Sequence, residues 1–227
     1  MTSALTRKIP PRKPLGDEVY QALKTAILQR ELVPGQRLIE AQLAERLGAS
    51  RTPVRQAMHM LLRENLIERR GRGFAVRGLS RQDIVEILDL RCVLESFAAR
   101  RATENITPGS LALLERQNEA FGQAIENGRT EKLAALNTVF HETLYSLARS
   151  RRLKTLIRDL HEHLYRYRVV LLQLKDMART SYQDHLDMIE AMKKGTPDLA
   201  EQLVRRHILK GKEAILKEMR RGGDNPF

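Results

Sequence analysis

The chain of 227 residues has one cysteine, no tryptophan and only 4% aromatic residues. Cys92 alone can form neither an intrachain disulfide nor a cysteine-based metal cluster, which suits a reducing compartment. Long apolar runs are also missing. Stretches such as Val169–Leu172 are four residues long, against the roughly 20 that span a bilayer, so no membrane partner is expected. Residues Met1–Pro14 carry Arg7, Lys8, Arg12 and Lys13 with no apolar stretch behind them. They do not read as a secretory signal, and a cytoplasmic protein is expected. With 13 Gly and 8 Pro the composition excludes collagen-like and low-complexity classes. Hydrophobic residues at 42% and charged residues at 30% fit a globular, mainly helical chain.

What the chain does have is positive charge, +12 in all, unevenly spread. Residues 1–79 hold 15 Lys and Arg against 7 Asp and Glu, and residues 80–227 hold 25 against 21. The excess in the first third points to a polyanion there, nucleic acid first and an anionic membrane surface second.

Spacing decides between them. From Asp17 to about Arg30, Val19, Leu23, Ala26 and Ile27 form one helical stripe, and Val33-Pro34-Gly35 stops it. A short second helix runs from Leu38-Ile39 through Leu43 and Leu47 to Gly48, and Ser50 can cap a third. In that third helix Val54, Ala57, Met58, Leu61 and Leu62 make the buried stripe, with Pro53 in the first turn. Two short helices joined by Gly48-Ala49-Ser50 make a helix-turn-helix. The outer face presents Arg51, Thr52, Arg55, Gln56 and His59, and its N-terminal end is where a recognition helix meets DNA. Leu66–Arg69 and Phe74–Arg77 then read as two strands around Arg70-Gly71-Arg72-Gly73, a basic wing. Arg72 at its tip is placed to reach a groove or a phosphate.

The run from Val33-Pro34-Gly35 through Leu43-Ala44, then Ser50–Ala57 and Gly71–Phe74, resembles the winged helix of the GntR family of bacterial transcription regulators. The resemblance covers about residues 13–79 and implies a homodimer on a short palindromic operator. It also implies that Arg51, Arg55 and Gly73 contact DNA. Glu40-Ala41-Gln42 departs from members that place a base-reading Arg at the start of the second helix, so the operator sequence does not carry over.

From residue 80 onward six helical stretches are expected: about 81–103, 110–127, 131–148, 153–174, 179–194 and 198–220. Asn137 and His141 share a helix stripe with Leu144 and Ala148, His185 lies on the inner side of the fifth helix, and His207 lies on the sixth. Three imidazoles and an amide oxygen converging in a bundle suit a divalent metal, zinc or nickel first, with positions left for a carboxylate ligand. A hydrogen-bonded core histidine is the common alternative at each position. His161 and His163, in an Arg- and Glu-rich stretch, read as surface residues, and Tyr165, Tyr167 and Arg168 read as mainly outward-facing.

This half is similar to the FCD ligand-binding domain of the GntR family's FadR branch. That likeness implies metal ligation by the residues matching Asn137-Thr138-Val139-Phe140-His141, Asp184-His185 and His207. Asn137 stands where the family's usual carboxylate would be. Six helices make the chain look like the VanR-type subgroup. Arg91, in a segment resembling the family's Arg-x-x-x-Glu pattern, either clamps an effector carboxylate or pairs with Glu95.

The expected architecture is thus mainly α. A flexible basic arm (1–12) and a winged helix-turn-helix (13–79) precede an all-helical effector-binding and dimerisation domain (80–222) and a tail (223–227). The expected function is a ligand-responsive transcription regulator, a repressor released by a small carboxylate effector, and not an enzyme. The rivals are a metal-dependent enzyme on the three histidines and an architectural DNA binder without an effector.

Overall fold

A computed structural model describes residues 15–29, 31–71, 73–174 and 176–222. The expected arm, Arg72 at the wing tip and the tail lie outside these residues. The chain divides into two units, one ending at Gly78 and the other starting at Leu79.

In the first unit, α1 (Leu15–Leu28), α2 (Glu40–Arg46) and α3 (Arg51–Arg63) pack with β1 (Arg37–Leu38), β2 (Ile67–Arg70) and β3 (Gly73–Val76). Val19, Leu23, Leu43, Val54, Met58, Leu61 and Ile67 form its buried core, so each helix folds as its apolar stripe requires. Gly48, at φ +61°, ends α2 in the left-handed region and turns the chain toward α3. The sheet has the order β1-β3-β2, with Arg37 opposite Ala75 and Glu68 also opposite Ala75 on the other side. The wing expected as a two-stranded hairpin is therefore a three-stranded sheet. β1 is two residues long, too short to leave a pattern in the sequence.

In the second unit seven helices follow: α4 (Arg81–Glu104), α5 (Pro108–Glu126), α6 (Thr130–Ser146), α7 (Arg151–His163), α8 (Tyr165–Gln173), α9 (Met177–Lys193) and α10 (Pro197–Gly222). Capping boxes at Ser80/Asp83 and Thr107/Ser110 start α4 and α5. The fourth expected helix is two helices. Leu164, at φ −107° and ψ 9°, breaks it and is buried with Ile84, Leu88, Tyr167 and Ile215. The break redirects α8 so that Tyr167 and Arg168 are buried, contrary to the outward orientation expected for them. No Gly or Pro marks the position, so packing alone produces the kink. With seven helices, the count does not set the VanR-type subgroup apart.

Candidate functional site

In the first unit, Arg51, Thr52 and Arg55 are exposed at the N-terminal end of α3, and Ser50 makes no side-chain capping bond. First-turn N–H groups there suit an anion. Arg55 is held by Glu40 at the start of α2, its Nε donating at 3.1 Å to Oε1 and Oε2 and its terminal NH2 nitrogen at 2.8 Å to Oε2. The hydrogen bond from Arg55 brings the Glu40 carboxyl below its usual range. Gly73 opens β3 opposite Arg70, and Gly71, at φ +59°, forms the turn.

In the second unit, α6, α9 and α10 bring His141, His185 and His207 together, with one nitrogen of each within 4.8 Å of the others. Their hydrogen bonds fix which nitrogen faces inward. Asn118 on α5 donates its amide to the Tyr182 carbonyl at 3.4 Å, which turns Oδ1 toward His185 Nδ1 at 3.0 Å. An amide oxygen only accepts, so His185 carries its proton on Nδ1. Asp184 Oδ2 stands 3.0 Å from His207 Nδ1 and imposes the same tautomer. Burial pushes the Asp184 carboxyl up, but hydrogen bonds from His207 and Lys210 bring it below its usual range.

The third case involves a longer chain of contacts. Glu95 is completely buried, and burial alone would raise its carboxyl. Arg91, donating from Nε at 2.6 Å, and His161 hold it instead well below the usual range, so it is an acceptor only. The Tyr145 hydroxyl must then donate to Glu95 Oε2. Having given its single proton, it accepts from His141 Nδ1 at 3.0 Å.

His141 and His185 thus present an unprotonated Nε2 to the same space, 3.2 Å apart, and His207, with its Nδ1 on Asp184, leaves Nε2 as its nitrogen for the cluster. Burial first, then the neighbouring imidazoles, hold the pKa of His141 well below its ordinary value; burial and His207 do the same for His185. Protonation is therefore a poor relief for the facing lone pairs. A separation of 3.2 Å is what two ligands have when each is about 2.0–2.1 Å from one ion at roughly tetrahedral or octahedral angles. Phe140 stacks on His185 at 4.1 Å between ring centroids and fixes the ring plane. Asn137 Nδ2 is 3.5 Å from His185 Nε2, and a half-turn of the amide offers oxygen instead. The donor set fits a divalent first-row cation.

His141, His207, Asn137 and Asp184 line a cavity of about 60 Å³, room for a few water-sized groups. Arg91, Arg168 and Lys210 share its wall. Arg168 donates to Thr138 Oγ1 at 2.7 Å and to His161 Nδ1 at 2.7 Å, which leaves His161 Nε2–H to donate to Glu95 Oε1 at 2.7 Å. Burial and the nearby Arg91 lower Arg168 to about 10, so it is still charged at neutral pH. Three cations, Arg91, Arg168 and Lys210, face two carboxylates, Glu95 and Asp184.

His161 is buried, which corrects its reading as a surface residue. Leu153, Ile157 and His161 are all buried at four-residue steps, so helical phase located it where local charge composition did not. Asn118, Glu95 and Tyr145 were not among the expected site residues either. Asn118 and Glu95 are polar interruptions of buried helix faces, Leu114-Asn118-Phe121 and Leu88-Cys92-Glu95, and that pattern is their sequence signal. Among the expected residues, Asn137, His141, His185 and His207 come together. Arg91 both pairs with Glu95 and lines the cavity, so the two alternatives weighed for it are not exclusive.

Residues 15–76 match the gntR family of bacterial regulatory proteins and residues 86–210 match the FCD domain. The chain is 30% identical over 210 residues to the HTH-type transcriptional regulator YdhC of Bacillus subtilis, covering 92% of this chain and 94% of that one. It is 26% identical to the HTH-type transcriptional repressor RspR of Escherichia coli, covering 92% of each. The solved structure of E. coli McbR/YncC superposes with a TM-score of 0.73 at 26% identity, over 91% of this chain and 99% of that one. The chain belongs to the GntR family of bacterial transcription regulators and carries an FCD domain C-terminal to its winged helix. Family members are DNA-binding regulators, and FCD domains often bind metals. Among the described residues no helix is long and apolar enough to cross a membrane.

Burial holds His161 at about 4, against roughly 6.5 in an unfolded chain. Between these values the unfolded chain binds a proton that the folded one does not, so stability falls as pH drops from 6.5 to 4. The loss from His161 is about 3 kcal/mol, and His141 and His185 act in the same direction. Urea unfolding of chelator-treated protein should show a midpoint that falls steadily over this range, with a slope about one proton shallower in His161→Gln. A flat profile would contradict the neutral buried state.

Proposed function

We propose that the chain is a ligand-responsive repressor, released from a palindromic operator by a small carboxylate bound in the FCD cavity. The observation that carries this reading is the opening of the histidine cluster into a small cavity whose ionised side chains sum to excess positive charge. Asn137, His141, His185 and His207 would hold a divalent cation, zinc or nickel first, which supplies open coordination positions for a carboxylate oxygen. Arg91 and Arg168 suit the rest of an anion, since a guanidinium binds carboxylate through two parallel N–H groups. An incoming anion also relieves the repulsion between Arg91 and Arg168.

The operator is contacted by Arg51, Thr52 and Arg55 on α3, with Gly73 of the wing against the backbone and Arg72, outside the described residues, reaching a groove or a phosphate. Arg55 can exchange Glu40 for guanine O6 and N7. The homodimer expected of the family finds a candidate surface on α4, where Leu90, Val93 and Phe97 are exposed at 54%, 58% and 50%. They lie on the helix that also carries Arg91 and Glu95 toward the cavity. Ligand at Arg91 thereby bears on the helix that sets dimer geometry, and only some geometries fit two half-sites. By linkage, operator DNA changes effector affinity by the same factor.

A hydrolase on the same histidines has less support. Metal-assisted hydrolysis needs a base placed to use bound water, and the carboxylates beside the cluster are both engaged. Asp184 is held by His207 and Lys210, and Glu95 by Arg91, His161 and Tyr145.

Elemental analysis of untagged protein purified without chelator should find about one divalent metal per chain, lost in His185→Ala. No metal after soaking with zinc and nickel would overturn the metal-linked effector site. On an operator selected from random DNA, Arg55→Ala should weaken binding by about 1–3 kcal/mol. Unchanged affinity in the folded variant would remove α3 as the recognition helix.

A further inference from the structure

The three histidines differ in what stands behind them. His185 is backed by a neutral amide and His207 by the Asp184 carboxylate, but His141 is backed by a phenol that is itself backed by the buried carboxylate of Glu95. Resting on the metal reading above, we infer that Tyr145, held by Glu95, is the positioning residue that fixes His141 in the Nδ1–H tautomer and so aims its Nε2 lone pair at the metal position.

Counting protons fixes the direction of each bond in this relay. Glu95 is ionised and can only accept, Tyr145 has one proton and gives it to Glu95, and the only role left for the phenol oxygen toward His141 is acceptor. Without the hydroxyl, no acceptor among the described residues holds the proton on Nδ1, and the alternative tautomer would point an N–H at His185 Nε2. That N–H would satisfy His185 and remove His141 as a ligand, so the relay decides between a hydrogen-bonded histidine pair and a ligand pair. Tyr145 is one helical turn from His141 on α6, and the two rings lie 5.7 Å apart at 26°.

Glu95 already takes Arg91 and His161 on Oε1, so Tyr145 is not needed merely to neutralise it. The route runs from the cavity wall through Arg91, Glu95 and Tyr145 to His141. Asn137 brings no charge to the ligand set, and the negative charge of Glu95 reaches His141 through the phenol. Partners standing behind metal ligands in this way typically change metal affinity about 10- to 100-fold.

The test uses full-length protein labelled with 15N-histidine and freed of metal, with long-range 1H–15N correlation to read each tautomer. His141 should be Nδ1–H in the wild type and move toward the Nε2–H form in Tyr145→Phe, with His185 and His207 unmoved. Cobalt(II) titration followed by its visible absorption should show about 10- to 100-fold weaker binding in Tyr145→Phe, with Glu95→Gln weaker in the same direction. An Nε2–H His141 in the wild type overturns the inference whether or not the variants fold. Equal cobalt affinity in a folded Tyr145→Phe overturns it too and leaves the metal reading standing. A wild type that binds no cobalt while His141 is Nδ1–H overturns the metal reading and, with it, the role given to Tyr145.

Discussion

Three imidazoles hydrogen-bonded through their outer nitrogens turn their inner nitrogens toward one another, and the FCD domain is arranged around that crowding. The outer acceptors, Asn118, Asp184 and Tyr145, come from α5, α9 and α6, while the histidines come from α6, α9 and α10. Ordinary core packing would pair a buried histidine's second nitrogen with a donor. Here the donor beside His185 Nε2 is the Asn137 amide, at 3.5 Å, while His141 Nε2 faces the same atom from 3.2 Å and burial opposes the proton that would separate the two rings. A cation between the three rings would resolve the conflict, and this supports the metal site proposed above.

The same low-dielectric interior gives the cavity its charge preference. Glu95 neutralises one guanidinium's worth of charge, yet both Arg91 and Arg168 lie within its reach, and Arg168 is depressed to about 10 by burial and by Arg91. An arrangement with uncompensated positive charge is costly when empty and favourable when an anion enters. The cost is tolerable because Thr138 and His161 take hydrogen bonds from Arg168 and keep it fixed. The positive side chains that the proposed carboxylate would meet are thus already ordered by these bonds.

Much of this was legible in the sequence because it rests on period and punctuation. The stripes of α1 and α3, the Gly48 turn and the inward faces that carry Asn137, His141, His185 and His207 follow from helical spacing, while the grouping of those four as one site comes with the resemblance to the FCD domain. Other parts follow from tertiary packing that no local signal announces. Leu164 breaks a helix with neither Gly nor Pro, and with that break Arg168 enters the core. Strand β1 exists because β3 offers it an edge. The charged neighbours of His161 point to the surface, whereas its phase with Leu153 and Ile157 points inward, and the phase decides. Glu40 stands in the sequence where some family members have an arginine, but its grip on Arg55 spans 15 residues and arises only once α2 and α3 pack.

The most direct test of the central claim is X-ray absorption at the metal edge of protein reconstituted with zinc or nickel. The spectrum should show a first shell with three imidazole nitrogens at about 2.0–2.1 Å, their outer-ring scattering resolved, completed by oxygen. A shell of oxygens alone, or one with fewer than two imidazoles, would place the metal elsewhere and leave the facing lone pairs of His141 and His185 without their explanation.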